Sequence, residues 1–360
     1  MRFLSADWVF PLHVAPIKGG VLKMSKEGKI LDVFTSRDTI SVDKLEIFSG
    51  VLCPGFINTH CHLELSHLLG FAEEKKGLLD FIKVIKKRNK FTKDQIKLSI
   101  DTAEQQMIKN GIVAVGDICN TNDTIDQKQK RNLHYYNFIE VFTIHEDKIN
   151  DEIKKSTYLR DQFRRIDCRS TIVPHSLYAV PPDLMIKILD AIDHKDNIIC
   201  IHNQETKEEN QLFQSKNGRL FKWLNKMRAT SSIWDQRNSH KLIFRKFSKK
   251  IKMLLVHNTF TKKQDLIEAY YSTCPKANLY IEDSLPDYSI FDVNKLCVGT
   301  DSLASNNSLS ILEELFVIQE SSNFDLNTLL KIGCHNGAKA LGFDFLGTFE
   351  KNKTPGVNLI

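Results

Sequence analysis

The chain has no long apolar run. None approaches the ~20 residues that a helix needs to span a bilayer, so no membrane-spanning helix and no membrane partner are expected. Asp7 interrupts the first apolar stretch, and no secretory h-region forms. The eight cysteines lack pairing spacings and read as free thiols of a reducing compartment, so a cytoplasmic location is expected. No Pro-Cys-x-x-Cys follows His62-Leu63-Glu64, which excludes the nucleobase-editing class of zinc deaminases. The absence of His-Glu-x-x-His argues against a zincin protease. Low-complexity segments and sequence repeats are also missing.

Charge is modest, at +6 over 360 residues. Basic clusters at Lys83–Lys90 and Lys241–Lys252 have apolar residues interleaved at helical spacing. They read as solvated helix faces. Neither contains an RNA- or DNA-binding motif, so no nucleic-acid partner is expected. The length permits a large core and a minor domain besides.

The apolar run Val51–Ile57 reads as a buried strand that leads into Asn58-Thr59-His60-Cys61-His62. Residues i and i+2 of a strand share a face. His60 and His62 therefore project together, as two ligands of one metal must, and Cys61 points away to pack. Seven further runs read as strands: Gly111–Asp117, Tyr135–Thr143, Ser170–Pro174, Asn197–His202, Lys252–His257, Asn278–Glu282 and Lys295–Asp301. Helical spacing of apolar residues lies between them at Leu78–Lys90, Lys93–Asn110, Pro182–Asp193 and Lys263–Tyr271, and after them at Asp325–Leu341. This alternation predicts an α/β chain with a (β/α)8 barrel, which takes about 250 residues. A doubly wound open sheet is the alternative, but no Gly-rich phosphate loop follows the first strand.

Chemistry in such a barrel sits at the C-terminal ends of the strands. His60 and His62 lie at the first end, His175 at the fourth and His202 with Glu205 at the fifth. His257 lies at the sixth and Asp301 at the eighth. His60, His62, His202 and Asp301 supply three imidazoles and one carboxylate, a set suited to zinc or ferrous iron. Glu205, three residues past His202, has the offset of a carboxylate beside the metal, which suits a proton shuttle. A solvated carboxylate at a helix start is the other reading.

The segments PGFINTHCHLELS, VPHSLYAVP, IHNQET, VHN, GTDSLASNNSLSILEEL and NGAKALGF resemble the amidohydrolase superfamily, in its cytosine deaminase and chlorohydrolase-like branch. The form HCHLELS, with Glu64 two residues after His62, also resembles the aminodeoxyfutalosine deaminases. The resemblance implies that His60, His62, His202 and Asp301 bind metal and that Glu205 is the general acid and base. It implies that His257 orients or polarises water or substrate and that His175 touches substrate. Dinuclear members use a carboxylated lysine at the fourth strand. Arg169–Tyr178 contains no lysine, so one divalent ion is expected, zinc or alternatively iron. Residues 1–50 and 346–360 would form a small β-sandwich beside a barrel of residues 51–345.

The expected reaction is hydrolytic deamination of an amino-substituted heterocycle or nucleoside-like small molecule. Asp301 would hold the metal and take the proton of water, with His257 steadying the oxygen charge that develops. Hydrolysis of a C–Cl bond or a cyclic amide is the rival within enzymes, and an inert binding protein the rival outside them. Glu64 is read as a substrate contact, or else as paired with a basic side chain. His175 either touches substrate or hydrogen-bonds in the pocket wall. His67 and His145 read as ordinary histidines. The stretch Gln211–Phe247 is longer than a usual βα connection and carries Phe213, Phe221, Trp223, Trp234 and Phe244. Closure over a planar ring, outer packing and a homodimer contact all remain open for it.

Overall fold

Pro54 has no N–H to give a sheet ladder, and the run Val51–Ile57 breaks there. In the computed structural model, which describes residues 1–192, 197–235 and 251–360, Val51–Cys53 lies in an outer sheet. It pairs with Trp8–Val9 and Asn358–Leu359. The first barrel strand is Phe56–Cys61. Ile112–Cys119, His134–Val141 and Arg169–Pro174 follow it in one parallel four-stranded sheet. The fifth to eighth strands, Ile198–Asn203, Lys252–His257, Tyr270–Thr273 and Leu296–Val298, make a second.

The two sheets meet at two seams near the strands' C-terminal ends. Cys61 bridges Asp301 at one, and Ser176 bridges His202 at the other. Helices, or a 3-10 turn between the sixth and seventh, separate the eight strands in the order of a (β/α)8 barrel. Both seams therefore run beside candidate site residues.

The seventh strand is not where the sequence reading put it. Asn278–Glu282 belongs to a helix, Pro275–Glu282, with proline in its first turn. Proline is preorganised for that position. Ala277, Asn278 and Ile281 are buried, which is helical spacing, although Asn-Leu-Tyr-Ile-Glu also alternates like a strand. The strand is Tyr270–Thr273, and only Lys263–Asp265 of the expected helix is helical, as a 3-10 turn. The C-terminal segment is broken by one π-helical turn, Lys331–Asn336, between Leu326–Leu330 and Gly337–Leu341.

The other outer sheet joins Ile30–Phe34, Val21–Met24, Arg2–Ser5 and Leu45–Ile47. Leu4, Val9, Leu22, Ile30, Leu52 and Phe349 form an apolar core between the outer sheets. All eight cysteines are free. Among the described residues no helix is long and apolar enough to cross a membrane.

The seam between the eighth and first strands requires Gly299. A Cβ there would lie 2.7 Å from both the backbone nitrogen and oxygen of His60. Backbone cannot give way as a flexible side chain can. Gly299→Ala is therefore expected to cost about 2–3 kcal/mol, the upper range for overpacking, and to weaken metal retention. Urea unfolding and dialysis against chelator would measure both, and a wild-type midpoint would show that the seam tolerates the methyl group.

Candidate active site

Four side chains converge where the first and eighth strands meet the fifth. His60 Nε2 and His62 Nε2 lie 3.6 and 3.4 Å from Asp301 Oδ1. His62 Nε2 is 3.3 Å from His202 Nε2. All four residues are buried. His60 Nε2 has no hydrogen-bond partner among the described residues despite full burial. An orphaned imidazole nitrogen that converges with two others beside a carboxylate fits a divalent cation, which would satisfy them together.

The outer partners orient this set. His202 Nδ1 is 3.0 Å from the His175 carbonyl oxygen, which can only accept. The proton sits on Nδ1, and the Nε2 lone pair faces the cluster. Ser305 Oγ donates to Asp301 Oδ2 at 2.6 Å, leaving Oδ1 toward the histidines. Asp117 Oδ1 accepts the N–H of Leu63 at 2.8 Å, which pins the turn just after His62. Asp117 is in turn neutralised by Lys128, fully buried with its ammonium 4.9 Å from the rings of Tyr135 and Phe163.

Burial holds His60 down to about 4, with His62 adding repulsion against the pull of Asp301. Burial also lowers His202 and His257. These shifts favour the neutral imidazole, the form in which His60 and His202 could bind a metal. Burial opposes ionisation of Asp301, but the His60 contact, His62 and His257 outweigh it and hold the carboxyl well below its usual range. Glu205 is pushed the other way, first by burial and then by the charge of Asp301. Two carboxyl groups of one site are thus driven apart, one toward the ionised form and one toward the protonated form.

Three turns bring these groups in through left-handed backbone: Gln204 at φ 46°, His257 and Asn258 at 68° and 57°, and Asp301 at 57°. Such conformations persist only where surroundings enforce them. Gln204 is held by Asn210, Thr261 and Asp265. Glu205 directly precedes Thr206, the N-cap of helix Lys207–Ser215. It is 5 % exposed, so it is not the solvated helix-start group of the duller reading, and its Oε1 lies 3.8 Å from His257 Nε2.

A cavity of about 670 Å³ opens over the cluster. His62, His202, Glu205, His257 and Asp301 form its floor. Leu78, Phe81, Ile82 and Ile85 of helix Leu78–Ile85 line one wall, and Phe142, Ile144, Trp223 and Met227 also face it.

The model of the amidohydrolase family matches residues 51–360. The chain belongs to this family. It is 25% identical over 380 residues to the 5'-deoxyadenosine deaminase of Methanobrevibacter smithii, covering 97% of this chain and 81% of the relative. The crystal structure of Helicobacter pylori aminofutalosine deaminase with methylthio-coformycin matches 99% of this chain and 91% of its own, with TM-score 0.82 and 22% identity. An adenosine deaminase from Xanthomonas campestris with bound zinc matches 99% and 83%, at TM-score 0.72 and 18% identity.

In this amidohydrolase Glu64 is already engaged. Its Oε2 accepts from Asn120 N, Thr121 N and Thr121 Oγ1, at 3.1, 2.9 and 2.7 Å. Arg88 approaches Oε1 at 3.4 Å. The pairing with a basic side chain is present, and Glu64 still lines the cavity.

Sequence reasoning missed Glu140, at the third strand's end. Its Oε1 accepts from His175 Nδ1 at 2.7 Å and lies 3.4 Å from His202 Nδ1. Burial disfavours its charge, but His175, His202 and His62 outweigh that and hold the carboxyl low. The available signal was a lone carboxylate inside the apolar run Tyr135–Thr143. His175 borders the cavity, tied to Glu140, with Tyr178 Oη 3.5 Å from its Nε2.

Of the long fifth-strand connection, Trp223 reaches the cavity, with the Lys86 ammonium 6.0 Å from its ring. Phe213 and Trp234 are buried in the core, and Phe221 packs on Trp234 at 5.5 Å. Phe244 and most of Lys241–Lys252 lie outside the described residues. His67 is buried against Phe91, and His145 lines the cavity rim.

Proposed function

We propose that this amidohydrolase deaminates a 6-aminopurine nucleoside or close relative with one zinc ion held by His60, His62, His202 and Asp301. The observation that carries the reading is Glu205. A buried carboxyl group, its pKa raised by burial and by the charge of Asp301, stands beside the candidate metal-binding set without belonging to it. Loss of an amino group from an aromatic ring needs such an acid, because protonating the ring nitrogen makes the adjacent carbon electrophilic. Three imidazoles with one carboxylate favour zinc over harder ions, and a related structure carries zinc. Iron is the alternative that elemental analysis distinguishes.

When bound, the metal activates water for attack near neutral pH. The protein's residues handle the protons. Glu205 gives its proton to the ring nitrogen. The Asp301 carboxylate takes a proton from the attacking water, and the remaining hydroxyl adds to the amino-bearing carbon. Asp301 then passes its proton to the amino group, the C–N bond breaks, and ammonia leaves. The hydroxyl proton returns to Glu205, leaving a ring carbonyl and a regenerated site.

The cavity's size and apolar wall suit a purine with a substituent beyond its sugar. Glu64 and His175, which both line the cavity, are assigned to the sugar hydroxyls or ring N–H groups. A buried acceptor of that kind discriminates strongly against analogues lacking its partner. The relatives named for 5'-deoxyadenosine and aminofutalosine support the same class.

The test is a panel of aminated purine nucleosides, pyrimidines and pterins assayed for ammonia, beside chlorinated triazines and cyclic amides. Turnover is expected for the adenosine derivatives substituted at the 5' position. Turnover confined to chlorinated or cyclic-amide compounds would refute the deaminase assignment and leave the metal site intact. Silence across the panel from metal-loaded protein would point to the binding-protein alternative.

A further inference from the structure

We propose that Asn278 is a positioning residue that fixes His257 in the tautomer with its proton on Nδ1, so that Nε2 acts as an acceptor at the reacting centre. The catalytic consequence rests on the deaminase reading above; the tautomer rests on geometry alone.

Asn278 is 2 % exposed and sits in helix Pro275–Glu282, just past the seventh strand. Its amide spans the backbone and ring of His257. Nδ2 lies 3.4 Å from the His257 carbonyl oxygen, and Oδ1 lies 2.9 Å from Nδ1. A carbonyl oxygen only accepts, so the NH2 end of the amide must face it. That sets the orientation of Asn278 without reference to the ring. The amide oxygen then faces Nδ1, and it too only accepts. Nδ1 must carry a proton, so in the neutral ring Nε2 keeps its lone pair.

The ring has little freedom to escape. His257 and Asn258 both occupy left-handed backbone. Asn258 N donates to the Asn203 carbonyl at 3.0 Å, and Asn258 Nδ2 to the Leu255 carbonyl at 2.8 Å. These bonds tie the turn to the fifth and sixth strands. Nε2 therefore stays aimed into the site, 3.8 Å from Glu205 Oε1.

This revises the role expected for His257. A neutral ring with a bare Nε2 cannot donate to a developing oxyanion. It accepts one O–H of the attacking water and holds the oxygen in line with the ring carbon, while Asp301 takes the other proton. No net transfer to His257 is required. The bond formed is C–O, the bond broken is C–N, and the hydroxyl hydrogen stays on oxygen until the carbonyl forms.

The direct test is ¹⁵N spectroscopy of histidine-labelled, zinc-loaded wild-type protein, with His257 assigned by its loss in His257→Asn. The expected pattern is a protonated Nδ1 and an unprotonated Nε2. Asn278→Leu, close in volume, is expected to lose that pattern and about 10- to 100-fold in kcat, as outer-shell changes typically do. KM and metal content should hold. Asn278→Asp, measured on the alkaline side where the ring is neutral, keeps an acceptor for Nδ1–H and should recover most of the loss. A protonated Nε2 in the wild-type spectrum overturns the proposal, as does unchanged kcat in Asn278→Leu or equal impairment in Asn278→Asp. A wild-type enzyme inert toward every amino compound would count against the deaminase reading instead, and the spectrum would still decide the tautomer.

Discussion

Asp301→Ala and His202→Ala variants are expected to lose metal and turnover together. Asp301 is the anionic member of the cluster, with Oδ1 within 3.6 Å of both first-strand histidines. Its removal leaves neutral imidazoles to hold a dication in a buried site, and the acceptor for the water proton is lost too. His202 is oriented before any metal arrives, by its bond to the His175 carbonyl. The loss should exceed the roughly 10- to 100-fold penalty of outer-shell changes, with turnover falling to background. Wild-type protein should hold about one divalent ion per chain. Elemental analysis giving two ions per chain, or full occupancy after His60→Ala with His62→Ala, would sink this reading.

Glu205→Gln is expected to keep the fold and the metal and lose about 10²–10⁴-fold in kcat, the range for a general acid–base. Glutamine preserves the shape and cannot deliver a proton. The pH profile should change as well. Burial and Asp301 raise the Glu205 carboxyl, so the donating form persists toward neutrality and is lost as pH rises through that raised value. The alkaline fall in wild-type kcat should therefore flatten in the variant. Wild-type turnover in metal-replete Glu205→Gln would reduce Glu205 to a structural carboxylate.

Legibility in the sequence followed the length and bonding of each element. Long strands with charged ends, such as Lys252–His257, announce themselves by composition. Tyr270–Thr273 has four residues, too few for a period, and its neighbour Asn278–Glu282 alternates by accident. Pro275 was the signal that separated helix from strand. The four metal-binding candidates stood out because strand ends carry chemistry in this fold. Glu140 did not, since nothing local says that its carboxylate meets His175 from the adjacent strand. Asn278 was still less accessible, because its role exists only through the left-handed turn at His257. Pairwise contacts across strands leave little trace in one sequence.

The barrel's division into two sheets has a mechanical consequence. His60 lies in the first strand and His62 just past its end, on the sheet of the first four strands, whereas His202 lies in the fifth strand and Asp301 just past the eighth, on the sheet of the last four. The bridges at Cys61–Asp301 and Ser176–His202 stand beside those same side chains. One ion gripped by all four residues, as proposed, would be a rivet driven through the joint between the halves. Because it would grip only the assembled form, its binding free energy would add to the clamping force on both seams. An ion bound there for the reaction would also keep the two halves of the molecule from parting.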